Sequence, residues 1–212
     1  VNYNDEWEIS IVKTLRIKKY AYVIDWFREN KDYTKKLKTM VAGVPHIFAW
    51  GGLHGAKEKY HGTGLILHVD VNSFYPAIMI EYGLLSRSVK DPEKYREIRD
   101  KRIQYKKEKN PLQAPYKIVL NSTYGICKDK HSKAYDPRRA NEICVNGQLL
   151  LLDLIEHLEV VPGFELIQSN TDGLIIKIPD TNEAFDAVDD ICFEWEKRTG
   201  MRLGVDYITE IW

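Results

Sequence analysis

The sequence contains no apolar run close to the ~18 residues that a bilayer-spanning helix needs, which excludes an α-helical membrane span. It has no net charge, with 31 Lys plus Arg against 31 Asp plus Glu, so it is neither a basic nor an acidic chain as a whole. Cysteine is scarce: Cys127, Cys144 and Cys192 are odd in number and far apart. That pattern suits reduced thiols in a cytoplasm better than a disulfide framework or a zinc site. There are no internal repeats, low-complexity tracts or flexible linkers, which excludes a repeat architecture. The first residue is Val1 rather than Met, and no signal-peptide pattern follows, so the chain is expected to be a piece of something longer.

What is present is ordinary for a globular chain. The 212 residues, 44% hydrophobic and 29% charged, suffice for one sizeable core, or one domain with a large insertion. The neutral total conceals a division. Between Arg87 and Lys133 there are 14 Lys plus Arg against 6 Asp plus Glu, whereas from Asp180 to Trp212 there are 3 against 9. One basic and one acidic segment could hold a phosphate polymer on one face only, although solvated helix faces give the same counts.

Residues 1–62 carry weak signals. Ala21 to Met40 reads as a polar helix or helix pair, and Gly51, Gly52 and Gly55 mark a tight turn. His54 in that turn has no second histidine at ligand spacing and reads as a structural residue. From Leu65 the pattern sharpens. Leu65-Ile66-Leu67-His68-Val69 predicts a buried strand ending at Asp70, and a helix begins near Pro76. Asp91-Pro92 is a helix start, with Asp as cap and Pro at the first helical position. The basic helix that follows, 93–108, is broken by Pro111 and Pro115; a second runs from Tyr116 toward Tyr124, where Gly125 ends it. A long helix spans 138–159. Strands over 164–169 and 174–178 flank a hairpin turn at Asn170-Thr171-Asp172-Gly173. An acidic helix over 182–198 and a last strand near 207–212 complete a pattern that fits a ferredoxin-like (RRM-like) α+β sheet.

In such a sheet the first strand and the central hairpin lie side by side, so Asp70 and Asp172 can meet at adjacent strand ends. Two carboxylates there form an oxygen-rich site suited to Mg²⁺. Two such ions support the in-line displacement of pyrophosphate by a hydroxyl. Either aspartate alone is an ordinary turn residue.

The residues around them narrow the reading. Asp70-Val71-Asn72-Ser73-Phe74-Tyr75-Pro76 resembles motif A, D-x-x-S-L-Y-P, of the B-family DNA polymerases. Lys117-Ile118-Val119-Leu120-Asn121-Ser122-Thr123-Tyr124-Gly125 matches motif B, K-x-x-x-N-S-x-Y-G, at every fixed position. Asn170-Thr171-Asp172-Gly173 resembles motif C, D-T-D-S, with Asn and Gly as departures. The three stand in the family's order, and the resemblance covers about two-thirds of the chain.

The resemblance implies a DNA-directed DNA polymerase core of the compact bacteriophage type. Its palm would comprise 63–90 and 128–212, with a short helical fingers insertion over 91–127 and residues 1–62 as a segment of unassigned role. Asp70 and Asp172 would ligate two Mg²⁺ ions, with Mn²⁺ as a substitute and the Val71 carbonyl as a further ligand. Ser73 and Phe74 would offer backbone N–H groups to the triphosphate, and Tyr75 would stack on the deoxyribose and exclude a 2′-hydroxyl. Lys117 would hold the triphosphate and protonate the leaving pyrophosphate. Asn121 shares its helix face, and Arg102 and Lys106 (or Arg99 in a shifted register) would reach the same triphosphate. Tyr124 and Gly125 would pack near the nascent base pair. The implied partners are DNA primer-template and deoxynucleoside triphosphates, with no membrane, in the cytoplasm of a phage's bacterial host or as a virus-derived protein; oligomeric state is left open.

No Asp-x-Glu exonuclease signature precedes Leu65, Tyr60-His61-Gly62-Thr63-Gly64 only faintly resembles the family's Y-x-G-G element, and the chain stops before a thumb. Two other readings remain. A reverse transcriptase would carry adjacent aspartates on the hairpin and lacks this motif B. A non-catalytic nucleic-acid-binding palm, or relict, would separate from an enzyme in a primer-extension assay.

Overall fold

The computed structural model describes residues 3–58, 60 and 62–211. The chain divides into two compact units. One comprises 1–10 and 75–143, the other 11–74 and 144–212.

The second unit holds a seven-stranded antiparallel sheet. Its strands are β1 (Leu37–Val41), β2 (Val44–Ala49), β3 (Gly52–Ala56), β4 (Gly62–Val71), β5 (Glu165–Ser169), β6 (Gly173–Ile178) and β7 (Leu203–Ile211). They lie in the order β1-β2-β3-β5-β6-β4-β7. Strand β4 is a central strand, paired with β6 on one edge and β7 on the other. Its Ile66, Leu67 and Val69 are fully buried.

The described residues form six helices, α1 (Ala21–Glu29), α2 (Phe74–Glu81), α3 (Pro92–Lys107), α4 (Gln113–Lys128), α5 (Pro137–Leu158) and α6 (Asn182–Thr199). Within the sheet unit, α5 supplies a run of core residues from Leu149 to Leu152 with no exposed surface. Helix α6 is delimited by local chemistry. Thr181 Oγ1 accepts from the Ala184 N–H at its start, and Gly200 takes a left-handed φ of 80° at its end. Trp195 of α6 is fully buried and donates from Nε1 to the Leu150 carbonyl, locking α6 to α5. Residues 12–20 lie along α5, whose polar side chains accept their backbone N–H groups: Val12 to Asn146, Arg16 to Asp153, Tyr20 to Glu156. No described helix is long and apolar enough to cross a membrane.

Several expectations change. The helical reading of Ala21 to Met40 holds only for α1; its second half is strand β1. Helix α4 runs through Gly125 to Lys128, so Gly125 does not terminate it. Asp91 sits at the N-cap of α3 but forms no side-chain cap bond, leaving Pro92 as the start signal. Strand β7 begins at Leu203 rather than Tyr207, and Trp212 lies outside the described residues. His61, within the faint Y-x-G-G match, also lies outside them. The three cysteines are buried thiols outside any disulfide, and burial pushes Cys127 and Cys192 up to about 12, which keeps those two inert.

One buried polar pair links β2 to β5. His46 is 1% exposed, shares its Nδ1 hydrogen with the Val44 carbonyl, and lies with Nε2 2.5 Å from Ser169 Oγ. Burial holds its imidazole below the ordinary value of 6.5. The unfolded chain therefore binds a proton near 6.5 that the folded chain refuses, so His46 costs stability as pH falls below 6.5. The melting midpoint should be lower at pH 5 than at pH 7.5, and His46→Gln should flatten that dependence. An unchanged pH profile in the variant would assign the acid sensitivity elsewhere.

Candidate active site

Asp70 lies near the end of β4, and the sheet register surrounds it with glycine. Its partner on β6 is Gly173 and its partner on β7 is Gly204. A Cβ on Gly173 would stand 2.9 Å from the Val69 carbonyl oxygen and 3.1 Å from the Asp70 Cα. A Cβ on Gly204 would stand 3.0 Å from Asp70 Oδ1. Both glycines therefore keep room at one carboxylate. At Gly173 the obstacle is backbone, so a side chain there would require the strands to shift.

Asp172 occupies the β5–β6 turn. The turn is closed by the Asn170 N–H donating to the Gly173 carbonyl at 2.9 Å. The Val71 N–H donates to the Asp172 carbonyl at 2.8 Å, which fixes Asp172 beside the residue after Asp70. The two motif aspartates thus stand at neighbouring strand ends. After Asp70 the chain turns sharply: the Asn72 N–H donates to the Arg202 carbonyl, Ser73 takes a positive φ of 45°, and α2 begins at Phe74, which is buried.

A second cluster was not legible in the sequence. His68, Asp70 and Asp206 each present a ligand atom within 4.8 Å of the others. His68 and Asp70 are two apart on β4 and so share a face, and Asp206 is the register partner of His68 on β7. Among the described residues this three-ligand cluster includes Asp70 but not Asp172. Only the β4–β7 register, which no local signal encodes, brings in Asp206.

The helical unit is built differently. Helices α3 and α4 form an antiparallel pair: Tyr105 packs against Tyr116 at 5.6 Å between ring centroids, and Tyr95 Oη donates to the Leu120 carbonyl. Burial pushes the Tyr95 phenol up, so it remains a neutral donor. On this pair Lys106, Lys117 and Asn121 are exposed and Arg102 is partly buried. Arg99 pairs with Glu81 at 3.2 Å. Tyr75 meets the ring of Tyr124 edge-on at 4.7 Å, joining motif A to motif B within one unit. A Cβ on Gly125 would touch nothing within 4 Å, so this fold does not itself demand glycine there.

No protein-family model matches this sequence. No curated protein matches it either. Solved structures do: 99 chains match. One is a family B DNA polymerase from the hyperthermophilic archaeon Pyrobaculum calidifontis, at 19% identity and a TM-score of 0.55. The alignment covers 86% of this chain and 27% of that one. The mixed α/β fold is therefore shared with part of a family B DNA polymerase.

Proposed function

We propose that this chain is the catalytic core of a template-directed DNA polymerase, adding deoxynucleotides to a primer 3′-hydroxyl. The observation that carries the reading is the convergence of Asp70 and Asp172 at neighbouring strand ends, joined by the hydrogen bond from Val71 to Asp172. In sheet terms β4, β5, β6 and β7 follow the order 2-3-1-4 of a ferredoxin-like palm, with α3 and α4 as its fingers insertion. The domain limits expected from the sequence, 63–90 with 128–212 for the palm and 91–127 for the fingers, belong to this reading. The short insertion favours a phage-type enzyme working in the host cytoplasm.

The donor set suits hard divalent cations. Asp70, Asp172 and the Val71 carbonyl would hold two Mg²⁺ ions, or Mn²⁺, through oxygen. Bound there, the metals would activate the 3′-hydroxyl and stabilise the departing pyrophosphate. The chain's own groups do the rest. Ser73 and Phe74 present backbone N–H groups to the triphosphate, while Lys117, Asn121, Arg102 and Lys106 supply cationic and polar contacts to it. Charge on the phosphates is greatest during transfer, so Lys117 acts most strongly in the transition state. Tyr75, braced by Tyr124, stacks on the deoxyribose. The freedom at Gly125 suits close approach of a nascent base pair beside Tyr124.

The test is extension of a labelled primer on a DNA template with Mg²⁺ and deoxynucleotides. Products should follow the template and vanish on chelation. Tyr75→Ala should raise the use of ribonucleotides relative to deoxynucleotides, because a steric gate is removed. Template binding without any metal-dependent extension would favour a non-catalytic palm module.

A further inference from the structure

Wholly within the helical unit, and apart from every motif residue, lies a cavity of about 310 Å³. That volume is at the lower end of small-molecule sites. One side of it is apolar, formed by Met79, Ile80, Leu85 and Val89. The other carries three guanidinium groups, Arg87, Arg96 and Arg139, with Glu93 as the single carboxylate in the wall.

The three arginines are not equivalent. Arg87 is fully engaged: its Nε and Nη2 donate to Asp136, and Nη1 and Nη2 to Asp5. Arg139 is held at one end only. Its Nη1 donates to Glu142, a carboxylate it shares with Arg138. Its Nε is enclosed and finds no acceptor among the described residues. Arg96 is loosely tied, 3.8 Å from Glu93 and with 42% of its side chain exposed. Helix α3 begins in the same wall at Pro92, and Asp91 does not cap it. Its first-turn N–H groups add a positive end to the cavity. The guanidiniums and nearby carboxylates roughly balance in charge, so the cavity offers aimed donors beside an apolar floor.

We propose that this cavity binds a small organic anion, with its apolar body on Met79, Ile80, Leu85 and Val89 and its carboxylate or phosphate on Arg96 and Arg139. A carboxylate or phosphate accepts from the Arg96 guanidinium and from the part of Arg139 that lines the cavity, in the planar geometry that guanidinium favours. A free inorganic ion would leave the apolar floor uncovered, and a neutral ring would leave the donors unmet. Both halves of the ligand are therefore required.

The test is calorimetric or NMR titration of the 212-residue chain with four probes: phenyl phosphate, benzoate, inorganic phosphate and phenol. At least one of the two aromatic acids should bind at least about tenfold tighter than inorganic phosphate and phenol. Whichever acid binds tighter identifies the head group. Arg96→Ala, an exposed change, should weaken that acid about tenfold or more, with the melting midpoint unchanged. Lys117→Ala should leave the affinity as it is, which separates this cavity from the triphosphate contacts. The proposal is overturned if neither acid binds, if all four probes bind alike, or if Lys117→Ala abolishes binding that Arg96→Ala preserves.

Discussion

Replacing Asp172 by Asn is expected to slow primer extension by roughly 10³-fold or more, because it removes one of two carboxylates proposed to bridge the catalytic cations. The fold should not suffer. Asp172 contributes to the sheet through its carbonyl, which accepts from the Val71 N–H, and Asn keeps that carbonyl. Asp70→Asn should act similarly on activity. Its neighbours Gly173 and Gly204 leave space for an amide as for a carboxylate. Asn170→Asp should be tolerated, because Asn170 closes the turn through its backbone N–H. Extension is measured as single-turnover rate with saturating deoxynucleotide, alongside thermal melts of each variant. Near-wild-type extension by Asp172→Asn would remove Asp172 from the metal site. It would turn attention to the His68, Asp70 and Asp206 cluster, which shares one aspartate with the proposed site.

The core of the sheet unit was readable because its signals are local. Leu65 to Val69 form an apolar run broken only by His68, and such a run marks a buried strand. The β5–β6 turn and α6 carry their own boundary residues: Asn170 to Gly173 in one, Thr181 and Gly200 in the other. Strand β1 failed for the opposite reason. Its burial alternates along Leu37 to Val41, with Lys38 and Met40 outward, and a lysine-rich tract of that kind imitates a polar helix. Its hairpin is closed by Ala42 and Gly43 at φ of 50° and 73°, the left-handed pair of a primed turn. Ala in the first of those positions hides a signal that Asn would have displayed.

The candidate site was legible to the same extent. Asp70, Asp172 and Tyr75 were singled out by resemblance, and the close backbone approach at Gly173 emerged only from the register. Asp206 was invisible, since it enters only through pairing of strands far apart in sequence. Gly125 was misread because a glycine after a helical pattern ordinarily stops it. Here the helix continues, and the glycine is left without a local structural reason.

The second large effect concerns stability. Arg87→Ala should lower the unfolding free energy by about 3–5 kcal/mol, the range for stranding a buried charge by removing its partner. The Asp136 side chain has no exposed surface and receives the Arg87 Nε, Nη2 and backbone N–H. The same guanidinium holds Asp5 and lies under the Tyr3 ring at 4.0 Å, so one side chain ties residues 3–5 to the start of α5. Burial alone would raise the Asp136 carboxyl, but Arg87 overcomes it and holds the group below its ordinary value. Asp5, hydrogen-bonded to the same arginine, is lowered to about 2. Both folded pKa values lie below the unfolded value of 3.8, so this stability is present above 3.8 and lost as pH falls through the folded values. Without Arg87 the sign reverses for Asp136. Burial then dominates, its folded pKa rises, and acid protonates the stranded carboxylate and relieves the penalty. Urea denaturation at pH 7 and pH 4 should show Arg87→Ala far below wild type at the higher pH and closer to it at the lower. Arg87→Lys should fall between the two, since an ammonium keeps the charge but not the fork that serves two carboxylates. A loss below about 1 kcal/mol, unchanged between the two pH values, would mean that the cluster behaves as a solvated surface pair.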